Sequence, residues 1–119
     1  MKTIYIFLLL TGISLTSSGQ DIESLKTKLT KADLTSHERI QILNLLSRSL
    51  TYIDAIEALE NANLALQLST ATDNQIGIAD AYRNLASIYS YNESYYISME
   101  YLQRALDIFS SKGDSVGIA

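Results

Sequence analysis

Cysteine, proline and tryptophan are absent from this chain of 119 residues, and histidine occurs once. Without cysteine, the chain can form neither a disulfide framework nor a thiolate metal site. The absence of proline suits a chain that is helical over nearly all of its length. Charged residues make up 18% of the sequence and hydrophobic residues 47%, which is a globular composition for at most one domain.

Basic clusters are also missing. The nine lysines and arginines are scattered, and the net charge is −4. A nucleic-acid surface needs grouped cations that neutralise phosphates, so we expect no nucleic acid as a partner. Motifs for a nucleophile elbow, a phosphate loop or a dinucleotide fold are lacking as well. We therefore expect no enzyme activity, no metal site and no cofactor within these residues.

Residues 1–19 are predicted to be a signal peptide. Lys2 supplies the positive start, residues 4–10 supply a short apolar run, and Ser17, Ser18 and Gly19 supply small residues for cleavage. The apolar run is shorter than the roughly 20 residues that span a bilayer. We therefore expect an exported protein, periplasmic or extracellular, and a retained membrane anchor is the alternative.

The next segment, residues 20–35, reads as a short helix followed by a connector. Ile22, Leu25 and Leu29 fall on one helical face. We expect this helix to cap one end of the fold. The connector ends in Thr35-x-x-Glu38, the pattern of a capping box at a helix start.

Two helices with a short polar break are predicted over residues 79–112, and a second copy lies upstream. Gly77-Ile78-Ala79 recurs as Gly117-Ile118-Ala119, an offset of 117 − 77 = 40 residues. The same offset relates three further matches: Asn44-Leu45 with Asn84-Leu85, Ala65-Leu66 with Ala105-Leu106, and Asp54 with Ser94. A fixed period of roughly 20–50 residues indicates a stacked repeat.

At these residues the chain resembles the tetratricopeptide repeat (TPR) family. The pattern that carries the resemblance is Tyr82-x2-Leu85-Ala86-x2-Tyr89, followed by Ser98-x3-Leu102-x2-Ala105. The resemblance implies an all-α, right-handed superhelical solenoid of antiparallel helix pairs. We expect repeats at residues 36–74 and 75–113 and the start of a third at residues 114–119. The period is longer than the usual ~34 residues, so the chain looks like a long-period variety.

The resemblance also implies a concave groove lined by the first helix of each pair, with asparagines that hold a peptide backbone. An asparagine side chain has both donors and acceptors, so it can clamp a peptide unit. The alternative is that these are solvated helix residues. The predicted peptide-binding residues are Asn44, Ser47, Asp80, Arg83, Asn84, Ser87 and Tyr91.

Tyrosine is the abundant aromatic residue, with eight copies. Tyr82, Tyr89 and Tyr95 fall at helix-packing positions, so we expect them in the core. Tyr91 is expected at the rim of the groove.

The predicted function is an exported, non-catalytic scaffold that binds a peptide or protein partner in the groove. Similar proteins suggest the N-terminal sensory or assembly part of a larger signalling protein. Two alternatives stay open: an architectural oligomerisation module, and the N-terminal region of an enzyme whose catalytic domain lies beyond Ala119. The last predicted repeat has no cover on its outer side, so self-association through this open end is possible. Membrane attachment would need a retained signal segment or a later helix.

Overall fold

The computed structural model describes residues 17–113, which form five α-helices and no β-strand. The all-α prediction is therefore confirmed for this part of the chain. Most of the predicted signal peptide (residues 1–16) and the predicted start of a third repeat (residues 114–119) lie outside it. The helices are α1 (Ser17–Leu29), α2 (Ser36–Leu50), α3 (Ala55–Ala71), α4 (Gln75–Tyr91) and α5 (Tyr95–Gly113).

Three helix starts are fixed by side chains that bind free backbone N–H groups. Thr35 Oγ1 accepts from the Glu38 N–H at 3.1 Å, and the Glu38 carboxylate accepts from the Thr35 N–H at 3.0 Å. This is the predicted capping box, and it is confirmed. Asp54 and Asn74 accept in the same way from the third residue of α3 and α4. Local sequence thus sets where each of these helices begins.

The turns that follow α3 and α4 have the same construction. Each contains one non-glycine residue in the left-handed region, Asp73 (φ 52°) and Glu93 (φ 64°). The residue after it donates its N–H to the carbonyl five positions back: Asn74 to Ser69 and Ser94 to Tyr89, both at 2.8 Å. This is the Schellman pattern, which satisfies carbonyls at a helix end. The connection between the two helix pairs and the connection within the second pair therefore turn the chain alike.

Helices that are adjacent in sequence pack on one another, and α2 also packs on α4. The main core lies where α2, α3 and α4 meet, with Leu46, Leu85 and Ile88 each 1% exposed. Ala58 and Ala62 of α3 are fully buried there. Because these side chains are small, the neighbouring helix backbones can come close to α3.

Helix α1 stands where the second helix of a preceding pair would stand. Its residues 17–29 are offset by 40 from residues 57–69 of α3, and it packs on α2 as α3 packs on α4. Ile22, Leu25 and Leu29 face the core, as predicted for a capping helix. The Arg39 guanidinium donates to the Leu29 carbonyl at 3.3 Å and so satisfies the C-terminal end of α1.

Gly77 marks the closest approach of α4 to the first helix pair. A Cβ at this position would collide with Ser69 Oγ and would lie 2.7 Å from Ile40 Cγ2. Ser69 is fully buried, and within the described residues its hydroxyl has no hydrogen-bond partner. A side chain on residue 77 would therefore have to displace buried atoms of both α2 and α3.

Gly77→Ala is expected to lower the free energy of unfolding by about 1–2 kcal/mol, because overpacking outweighs the better helix propensity of alanine. Ser69→Ala alone should raise it by about 1 kcal/mol, because it removes an unpaired buried hydroxyl. Urea unfolding followed by circular dichroism measures both. Two results would contradict the close approach of Gly77 to Ser69. One is an unchanged free energy of unfolding in Gly77→Ala. The other is a Gly77→Ala cost that is as large in the Ser69→Ala background as in the parent chain.

Candidate functional site

A cleft of about 450 Å³ opens beside α4, near the turn between α4 and α5. One side carries Arg83, Ser87, Ser90 and Tyr91, which share a face of α4 because they are spaced i, i+4, i+7 and i+8. Tyr52, from the turn between α2 and α3, also lines the cleft. Ala86 of α4 and Ser98 and Leu102 of α5 complete the lining.

The charged group of the cleft is a partly exposed ion pair. Arg83 Nη2 lies 3.0 Å from Asp80 Oδ1, one helical turn earlier on α4. Burial raises the pKa of the Asp80 carboxyl, and the positive charges of Arg83 and Arg48 oppose that rise. The Arg83 guanidinium also lies 5.8 Å from the centre of the Phe109 ring. Several of its five N–H donors stay free for a ligand, because one hydrogen bond to Asp80 uses one of them.

An aromatic pair forms the rim of the cleft. The rings of Tyr52 and Tyr91 meet edge to face, with centroids 5.0 Å apart and planes at 83°. Both side chains are exposed. Exposed tyrosine rings combine apolar area with a hydroxyl and few rotatable bonds, which suits them to contacts with a partner.

The two predicted peptide-clamping asparagines lie in the interior, with Asn44 4% and Asn84 5% exposed. Asn84 Nδ2 donates to the Asn44 carbonyl at 3.0 Å and to Asn44 Oδ1 at 3.1 Å. Asn44 Nδ2 donates in turn to the Gly77 carbonyl at 3.2 Å. The two side chains therefore tie α2 to α4. A contact of either one with a peptide stays a prediction.

Ser47 of α2, another predicted peptide-binding residue, is fully buried. Its hydroxyl donates to the Ala58 carbonyl of α3 at 2.8 Å. Ser98 Oγ donates to the Ala86 carbonyl at 2.7 Å in the second pair. A serine at each crossing lets the two helices approach closely and ties them together with one hydrogen bond.

Of the seven predicted site residues, three line the cleft and a fourth pairs with one of them. Arg83, Ser87 and Tyr91 lie together at the surface, and Asp80 holds Arg83. The other five lining residues were not predicted as part of a site: Tyr52, Ala86, Ser90, Ser98 and Leu102. Ser90 could have been found, because it lies seven residues after Arg83 on the same helical face. Tyr52 comes from a turn whose position depends on the packing of the helices.

A tyrosine stack joins α4 to α5 outside the cleft. Tyr101 lies between Tyr82 and Tyr89, with ring centroids 5.8 Å from each. The Arg104 guanidinium lies over two of these rings, those of Tyr82 and Tyr101. The core prediction for Tyr82 and Tyr89 agrees with their packing against the buried cluster. The core prediction for Tyr95 is wrong: its side chain lies on a face of α5 that no described helix covers.

A second cleft, of about 520 Å³, lies between α1, α2 and α3. Its lining consists mostly of leucine and alanine side chains, including Leu29, Leu43 and Leu64. Its cation, Arg39, already donates to carbonyls at the end of α1 and in the connector. It therefore offers fewer free polar groups for recognition than the α4 cleft.

Within residues 17–113, no three His, Asp or Glu side chains are grouped so that they could hold a metal ion. None of the described helices has the length and apolar character needed to cross a bilayer.

In comparisons with known proteins, no family model matches the chain, and neither a curated protein nor a solved structure matches it.

Proposed function

We propose that the chain is a non-catalytic helical-repeat scaffold of the tetratricopeptide type, which binds a segment of a peptide or protein partner in the α4 cleft. In this proposal α2–α3 and α4–α5 are two antiparallel repeats of a right-handed superhelix. The 40-residue sequence offset supports it, as does the equivalent packing of α2 with α3 and α4 with α5. Helices stacked in this way expose a continuous face of side chains to a partner.

The observation that carries the proposal is the grouping of Arg83, Ser87, Ser90 and Tyr91 on one open face of α4, with Tyr52 beside Tyr91. These groups supply a cation, two hydroxyls and an aromatic rim. Hydroxyls and a guanidinium can donate to the carbonyl oxygens of an extended peptide. The tyrosine pair can pack against an apolar side chain of the same peptide.

The preferred ligand carries a carboxylate. Arg83 is the cation of the cleft, and a guanidinium binds carboxylates with paired, charge-assisted hydrogen bonds. Asp80 positions Arg83 but holds it through one oxygen. We therefore propose a peptide segment in which an acidic residue or a terminal carboxylate lies next to an apolar or aromatic side chain.

A displayed library of random peptides, selected on the full chain, tests this proposal. Binding of the selected peptides should weaken roughly tenfold or more in Arg83→Ala and in Tyr91→Ala, because each change removes a central contact. Lys112→Ala is the matched control, since it removes an exposed cation at the far end of α5. Equal binding by all three variants, or a selection that yields no binder, would contradict the α4 cleft as the site.

The wider role is proposed from the resemblance alone: an exported sensory or assembly segment of a signalling protein. An architectural role, in which copies of the chain associate, is the second candidate. It is favoured by the uncovered apolar face of α5, which shares only Leu102 with the α4 cleft.

A further inference from the structure

Helix α5 carries a regular apolar stripe on its outer face. Its members are spaced 4, 3, 4 and 3 residues apart, which is the spacing of the seam between two paired helices. Four of them are well exposed: Tyr95 60%, Met99 66%, Leu102 44% and Leu106 43%. Phe109, partly buried, completes the stripe. A continuous run of exposed apolar side chains of this length marks an interaction surface.

In the first helix pair, the residues equivalent to the α5 stripe lie on α3 and pack against another helix. Subtracting 40 from each member of the stripe gives residues 55, 59, 62, 66 and 69 of α3. Ala62 and Ser69 are fully buried, and Leu59 and Leu66 pack against the core that α4 helps to form. The corresponding surface of α3 is thus covered by a helix. The α5 stripe is a helix-packing surface without its partner among the described residues.

The side chains of the stripe decide which kind of helix fits. Phe109 stands where Ser69 stands in α3, and Leu102 stands where Ala62 stands. Ser69 is the residue against which Gly77 of α4 approaches most closely. Phenylalanine at that position blocks an equally close approach by a helix of the α4 kind. The covering helix must therefore lie farther away, at the roughly 8–10 Å of two helices that interdigitate large side chains.

We propose that the α5 stripe binds the α5 stripe of a second copy of this chain, antiparallel and around a twofold axis near Leu102. Such an interface is isologous, so large side chains of each copy fill the spaces between those of the other. The stripe itself contains no charged side chain, so two copies can meet along it without burying an unpaired charge. The stripe meets the α4 cleft at Leu102, but the proposal does not depend on peptide binding there.

Sedimentation equilibrium of the full chain is the first test. We expect a monomer–dimer equilibrium at concentrations of roughly 10–100 µM, which corresponds to a modest helix-pair interface. The variant Met99→Glu/Leu106→Glu should weaken dimerisation by roughly a hundredfold, because it brings four carboxylates together at the axis. Neither residue lines the α4 cleft, so peptide binding should persist. The matched control Ile56→Glu/Leu64→Glu alters exposed apolar residues of α3 and should dimerise like the parent chain.

Disulfide trapping provides a second measurement that does not depend on the stability of the Glu variants. The chain has no cysteine, so one introduced thiol can pair only with its copy. Leu102→Cys, at the proposed axis, should form a covalent dimer under mild oxidation, while Ile56→Cys should not. A monomer at every concentration, dimers that persist in the Glu variant, or equal trapping at both positions would overturn the proposal.

Discussion

Leu85→Ala is expected to lower the free energy of unfolding by about 3 kcal/mol, whereas Leu45→Ala should cost less than about 1 kcal/mol. The two leucines are repeat equivalents, 85 − 45 = 40 residues apart. Leu85 is 1% exposed and packs in the main core, but Leu45 is 42% exposed. Truncating Leu85 leaves a cavity between α3 and α4, while truncating Leu45 removes contacts that are already partial.

The difference between the two leucines follows from the helix beside each of them. Leu85 packs against the 17-residue helix α3, and Leu45 lies beside the 13-residue helix α1. Urea unfolding monitored by circular dichroism measures both costs. Equal costs for the two variants would mean that the first helix pair is covered as fully as the second.

Asn84→Ala is expected to lower the free energy of unfolding by about 2 kcal/mol. The change removes the Asn84 Nδ2 group, which donates to the Asn44 carbonyl and to Asn44 Oδ1. The Asn44 carbonyl keeps its hydrogen bond within α2, but Asn44 Oδ1 would remain buried without a partner. A loss of this size would reduce peptide binding indirectly, by loosening the junction of α2 and α4. Asn84→Ala is therefore a test of the connection between the helix pairs.

The control for Asn84→Ala is Asn63→Ala, on the exposed side of α3. Alanine is the better helix former, so this variant should be neutral or slightly more stable. Thermal and urea unfolding of both variants should be compared. If Asn84→Ala retains parent stability but loses peptide binding, the asparagine contacts the ligand, as the resemblance implies.

Helix positions could be predicted from the sequence because local signals set them. The capping pattern at Thr35 and the repeat boundary at residue 75 gave the observed first residues of α2 and α4. Helix α1 was placed too late, because it begins at Ser17, inside the segment predicted as the signal peptide. The two left-handed turns were missed, because Asp73 and Glu93 replace the glycine that normally marks such a position.

The burial of a side chain was harder to predict than the helix face on which it lies. The 40-residue offset placed Asn44 and Asn84 at equivalent positions, and the structure has them in contact. It did not reveal that α2 and α4 approach closely enough to bury them. That approach depends on Gly77 and on the small side chains of α3, which act together across three helices. The members of the cleft that could be predicted are those on a single helix, α4.

Each helix packs mainly on its sequence neighbours, and this has a kinetic consequence. Contacts that are close in sequence need little loop closure, so we expect folding within milliseconds or faster. Such an array also opens from its ends without losing its centre. In amide hydrogen exchange, protection should be highest in α2, α3 and α4, which have partners on both sides. Helices α1 and α5 should exchange first, each independently of the other.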